Sequence, residues 1–107
     1  MELKGTLIAA IIDVKTATVI PGTVTAGAVA VVTVAATGVK TTDYVAPIPP
    51  SDLQTGLVPV GAYVSATNSI AVRIYNPTTA AITDTTGKTW RFLVVRPAVT
   101  PYYVTPS

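Results

Sequence analysis

Cysteine and histidine are both absent from this chain of 107 residues, and only 11% of its residues carry charge. The missing cysteines exclude a disulfide scaffold and thiol catalysis, and are compatible with either redox compartment. The missing histidines exclude Ser-His-Asp triads and histidine pH switches, and together the two absences exclude zinc ribbons. Concentrated positive charge is also lacking. Seven basic against five acidic side chains leave a net charge of +2. Lys4, Lys15, Lys40, Arg73, Lys88, Arg91 and Arg96 are scattered along the chain, whereas nucleic-acid binders need clustered cations. On a strand, Arg91 falls on the face opposite Lys88 and Arg96, so even the tightest group makes no shared phosphate patch. No nucleic-acid partner is expected.

Residues 16–39 contain no charge at all, long enough for a membrane-spanning helix of about 20 residues. Pro21, Gly22, Gly27, Gly38 and six threonines interrupt that stretch and argue against a continuous apolar helix, so no membrane span is expected. The apolar run from Leu7 to Ile12 is shorter than a signal-peptide core, and no small-residue cleavage pattern precedes Asp13, so export by a signal peptide is not expected.

Half of the residues are hydrophobic, which rules out a disordered chain, and the length suits a single domain. Val, Ile and Thr dominate, and their branched Cβ atoms fit a pleated sheet better than a helix. Nine prolines and seven glycines leave hardly any window open to a helix. Residues 17–25 read as two short strands hinged at Pro21-Gly22. The Val-rich run 28–36 reads as a central strand, and 44–48 as a short strand before Pro49-Pro50. Residues 57–65, bulged at Pro59 and Gly61, form a hairpin with 70–76 through a turn at 66–69, and Ile70, Val72 and Ile74 share one face. Asn76-Pro77 stops that strand, and 88–96 forms the last one, with Trp90, Phe92 and Val94 on one face.

The expected fold is all-β, a small antiparallel sandwich or barrel of about six or seven strands. Its expected core is Val29, Val31, Val34, Val64, Ile70, Val72, Ile74, Trp90, Phe92 and Val94. The division is an amino-terminal arm at 1–14, a sandwich domain at 15–97 and a Pro-rich tail at 98–107. A tail punctuated by Pro97, Pro101 and Pro106 is not expected to pair fully in a sheet. Both ends are apolar: Leu7, Ile8, Ile11 and Ile12 at the front, Val99, Tyr102, Tyr103 and Val104 at the back. They are the candidate subunit or capsid interface residues, for docking on a neighbouring subunit; the alternative is that both ends simply pack on their own domain.

The acidic residues are Glu2, Asp13, Asp43, Asp52 and Asp84, none patterned as an acid and base pair. Asp43 and Asp52 are the one pair to test for glycan hydrolysis. There is no phosphate-binding glycine loop and no calcium loop. No catalytic group, cofactor or metal is expected. Tyr63, Tyr75 or Trp90 could stack on carbohydrate, with Trp90 more at home in a core.

Several stretches between Val19 and Val95 carry a resemblance. They are Thr42-Asp43-Tyr44-Val45-Ala46-Pro47, Gly56-Leu57, Val64-Ser65-Ala66 with Asn68, Val72-Arg73 with Asn76-Pro77-Thr78, and Thr89-Trp90-Arg91-Phe92. The chain resembles small β-sandwich proteins of tailed-phage virions, in which a Gly-Asp commonly stands where this chain has Thr42-Asp43. The resemblance implies a capsid decoration or cement protein, a structural and non-enzymatic role. Its partners would be the major capsid protein and copies of itself, as a trimer. It would be made in the host cytoplasm and sit on the outer surface of the capsid. A receptor- or glycan-binding module of a head spike or tail fibre is the alternative, and a non-viral adhesion domain stands further off.

Overall fold

Alternating β-branched residues pair into antiparallel strands throughout the structure, a computed structural model that describes the backbone of residues 4–103 and the side chains of residues 13–96. The strands are β1 (Lys4–Val19), β2 (Gly22–Val24), β3 (Val29–Ala35), β4 (Tyr44–Ile48), β5 (Val58–Ala66), β6 (Ser69–Tyr75), β7 (Ile82–Asp84) and β8 (Lys88–Tyr103). Three antiparallel sheets result, ordered β1-β8-β4, β3-β6-β5 and β2-β7. The first two stack as a sandwich, with β1 beside β3 on one flank and β4 beside β5 on the other. Among the described residues no helix is long and apolar enough to cross a membrane.

The core lies between β8 and β6. Trp90, Phe92 and Val94 project from β8 toward Ile70, Val72 and Ile74 of β6, and all six are buried. Trp90 and Phe92, two positions apart and so on one face, stack with centroids 6.4 Å apart. Val19, Val24, Val34, Ala36, Val39, Leu57 and Val64 complete the cluster. The hairpin of β5 and β6 forms as the alternation predicts, with one register shift at the expected bulge between Pro59 and Gly61 and a second between Val64 and Ala66. Its tip uses Asn68 in a left-handed conformation, φ 66°, which asparagine tolerates better than most residues. The Asn68 side chain accepts from the Gly38 N–H at 2.8 Å, and its own N–H donates to the Val39 carbonyl at 2.9 Å. The hairpin is thereby stitched to the loop after β3.

Three expectations need correction. Val29 and Val31 are not core; they are 50% and 53% exposed. The Val-rich run is also not central, because β3 lies at the edge of its sheet and β6 takes the middle. Valines occupy both parities of β3, and only Ala30, Val32 and Val34 turn toward the cluster. A run apolar on both faces usually implies cover on both sides; here the outer face is open. The described residues also hold eight strands rather than six or seven, since β7 forms within the 77–87 connection, while β1 extends the first expected strand back through the amino-terminal segment.

Asn76 does more than stop a strand. It is fully buried, and its side-chain amide donates to the carbonyls of Val24 and Ala80, both at 2.9 Å. Its side-chain oxygen accepts from the N–H and the hydroxyl of Thr78 at 2.9 and 2.6 Å. Its backbone exchanges bonds with Gly27 and Ala28. One residue thus ties β6 to β2, to the start of β3 and to the 77–81 loop. Asn76→Ala strands those buried partners, each costing about 1–3 kcal/mol; we expect a net loss of about 3 kcal/mol, lowering the thermal midpoint by more than about 10 °C. Val31→Ala, at an open position, is expected to stay within about 0.5 kcal/mol of the parent. Denaturation of the two variants side by side checks both the hub and the corrected core.

Candidate functional site

The chain ends are where the structure departs furthest from a plain sandwich. β1 and β8 pair without a register shift from Lys4↔Tyr103 to Val19↔Lys88, while β4 covers β8 only from Arg91 to Val95. Beyond that point, from Ile11↔Arg96 outward, the sheet is a two-stranded ribbon. Eight residue pairs at about 3.4 Å each make it about 27 Å long. The molecule accordingly measures 68 × 25 × 23 Å with a radius of gyration of 18.3 Å, against about 13 Å for a compact domain of about this length.

The carboxy-terminal segment pairs more fully than its prolines predict. Pro97 lies opposite Ala10 and Pro101 opposite Thr6, inside a continuous ladder. Residues four apart on a strand direct their nitrogens to the same side. If that side faces away from β1, neither proline removes a ladder bond. The free edge of β8 then carries the prolines, a known way of discouraging further pairing.

This ribbon brings the candidate interface residues together. Leu7 stands opposite Thr100, Ile8 opposite Val99, Ile11 opposite Arg96, Ile12 opposite Val95, while Tyr102 and Tyr103 face Gly5 and Lys4. Val104 lies outside the described residues. What sequence reading missed is that the two ends meet. β1 crosses the expected arm boundary at residue 14 as one strand. A two-stranded ribbon is marginal in water by itself, and this one is assembled from apolar sequence. At its root the sandwich itself bears exposed apolar side chains. Tyr44, 69% exposed, pairs with Val95 on β4, and Val14, 52% exposed, pairs with Leu93 on β1.

A salt bridge braces that root. Arg96 follows the last β8 residue covered by β4, and its guanidinium donates to both carboxylate oxygens of Asp43, from Nε at 2.7 Å and from Nη2 at 2.8 Å. Nη2 also donates to the Gly38 carbonyl at 2.8 Å. Asp43 accepts from the Lys40 N–H at 2.9 Å, a turn closure typical of aspartate. The hydrogen bonds from Arg96 hold the Asp43 carboxyl down at about 2, against burial that pushes it up, with the Lys40 N–H helping.

A second open surface is the outer face of the β3-β6-β5 sheet. Val29 and Val31 stand beside Tyr75 and Arg73 in the register, and Val58 and Tyr63 flank them from β5. Arg73 lies over the Tyr63 ring, 4.8 Å from its centroid, a cation–π contact that flattens a charge onto an apolar surface. The Val run at both parities was the available signal for this face.

Catalytic groups do not converge among the described residues. Asp43 is occupied by Arg96, Asp13 pairs with Lys15 at 3.0 Å, and Asp84 lies 3.5 Å from Lys88. Asp52 is exposed on a loop. No three potential metal ligands cluster among the described residues. A surface groove of about 370 Å³ is lined by Ile48, Pro49, Pro50, Ser51, Thr89 and Arg91, with no carboxylate. Trp90 is fully buried and offers no stacking platform to a sugar, whereas Tyr63 is 40% exposed. No known protein family, curated protein or solved structure matches the chain.

The clamp carries a pH signature. A folded-state value near 2 lies below the ordinary aspartate value of about 4. The stabilisation is therefore complete above about pH 4 and is lost as pH falls toward about 2. Chemical denaturation between about pH 6 and about pH 2 is expected to show this acid limb, and Asp43→Asn is expected to flatten it while lowering stability at neutral pH.

Proposed function

We propose that the protein is a bacteriophage virion structural protein, a capsid decoration or cement protein that stabilises the head by bridging neighbouring major capsid subunits as a trimer on the outer surface. The observation that carries this reading is the apolar ribbon of paired chain ends standing off a rigid sandwich. A fastener needs a stiff body and surface for other molecules to cover, and the packed sandwich with its ribbon of paired ends supports that reading. The sequence resemblance to tailed-phage head proteins supplies the setting.

Packaged DNA loads a shell outward, and separate weak contacts on one rigid body resist separation together, because each contact raises the effective concentration of the next. A ribbon already paired along its length loses little conformational freedom on docking. The open face around Val29, Val31 and Tyr63 gives the same body a second contact area. Low charge fits a partner recognised by shape and apolar cover.

Purified shells incubated with the protein are expected to saturate at a fixed number of copies per capsid subunit and to release their genome at a higher temperature than bare particles. Ile8→Lys with Val99→Glu, an opposite-charge pair directly opposed on the ribbon that keeps the ladder favourable, is expected to lower shell occupancy at least tenfold while moving the midpoint of the isolated protein by less than roughly 3 °C. Equal genome release with and without the protein would reject the clip, and binding to host cells in place of shells would point to a spike or fibre module.

A further inference from the structure

The two flanks of the sandwich treat their open strand edges differently. On one flank β4 and β5 each contain a proline, Pro47 and Pro59. On the other, neither β1 nor β3 contains one. Pro47 lies opposite Phe92, so it keeps the ladder only with its nitrogen turned away from β8. Even-numbered β8 residues then hydrogen-bond to β1, and odd-numbered ones to β4. Paired positions of β1 and β8 always sum to 107, as in Lys4↔Tyr103 and Val19↔Lys88. Odd-numbered β1 residues therefore bond to β8, and even-numbered ones point their backbone N–H and C=O groups across a free edge. Val14 conforms: its N–H turns to the Asp13 carboxylate at 2.8 Å. Among the described residues no strand lies beside β1 on that side, and Val14, Thr16 and Thr18 are exposed.

Such an edge is a template for one more strand. We propose that it pairs with β1 of a second copy of this chain, antiparallel about a two-fold axis at Val14. Opposed residues in an antiparallel ladder share a face and a hydrogen-bonding state, so only registers that oppose even to even positions exist. Charge selects among them. Centred on Val14, the pairing sets Asp13 opposite the partner's Lys15, and Lys15 opposite the partner's Asp13. Shifted to the next permitted register, it sets Asp13 against the partner's Asp13 in one direction and Lys15 against the partner's Lys15 in the other; like charges directly opposed are destabilising. Asp13 and Lys15 already touch within one chain at 3.0 Å, so the centred pairing makes a ring of alternating charge. It spans residues 9–19 of both copies, a stretch without proline or glycine, and forms about ten backbone hydrogen bonds.

This inference concerns the free protein and stands apart from the capsid reading; no shell enters its test. It takes copies in twos, so trimers held by other contacts would be joined into assemblies of even number. The chain has no cysteine, so Val14→Cys places a single thiol at the axis. A short bismaleimide is expected to link Val14→Cys chains into dimers at least tenfold faster than Val31→Cys chains, whose site is equally exposed at 53%. By sedimentation the unmodified protein is expected to contain an even number of chains. Thr16→Pro, whose nitrogen lies on the free edge, is expected to halve that mass with the β-sheet signal intact. Asp13→Lys is expected to do the same, and Asp13→Lys with Lys15→Asp to restore the mass. An odd-numbered assembly unchanged by Thr16→Pro, or equal cross-linking of the two cysteine variants, overturns the proposal.

Discussion

The ladder between β1 and β8 joins the two ends of the chain, and the rest of the structure depends on it. β8 is the only strand of its sheet with neighbours on both sides over Arg91–Val95, and it delivers Trp90 and Phe92 to the core. β1 is the partner that holds β8 over its full length. Each sheet has only two or three strands, and no disulfide or metal reinforces the body among the described residues. Small domains of this size bury a modest fraction of their surface. Closure of the ends and the polar ties at Asn76, Asn68 and Asp43 therefore matter more here than in a larger protein.

Much of the sandwich was legible in the residues. The shared face of Ile70, Val72 and Ile74, the bulge marked by Pro59 and Gly61, and the turn at Asn68 each have a local physical cause, and each is present, although Ala71 on the opposite parity is buried as well. The burial of Trp90 and Phe92 followed from period two. Val29 and Val31 were misplaced because an uninterrupted valine run does not say which parity meets the core. The meeting of residues 4–19 with 88–103 was not legible either. It is a contact between positions as much as 99 apart, as in Lys4↔Tyr103, and prolines at 97 and 101 argue locally against a strand. They are tolerated because a nitrogen facing outward costs a ladder nothing.

Function follows from surfaces here, and the candidate site was legible only as composition. The apolar ends were visible in sequence; their joining into one ribbon with a braced root was not. Arg96 shows why. In sequence it is one cation of a loose group near Lys88 and Arg91, while in the fold it is the pin between the ribbon's root and the loop from Gly38 to Asp43. That pin ties the root of the ribbon to the loop of the sandwich through three hydrogen bonds.

The account rests on the chain ends acting as one paired unit that docks as it stands. Ile8 and Val99 are opposed without mutual hydrogen bonds in the parity set by Pro97 and Pro101, a geometry that admits a cross-strand disulfide. The most direct measurement is shell occupancy by the Ile8→Cys, Val99→Cys protein before and after oxidation. The intramolecular disulfide is expected to form, and the locked ribbon is expected to occupy shells at least as fully as the reduced protein. Failure of the bond to form, or loss of occupancy once it has formed, would contradict a ribbon that docks as it stands.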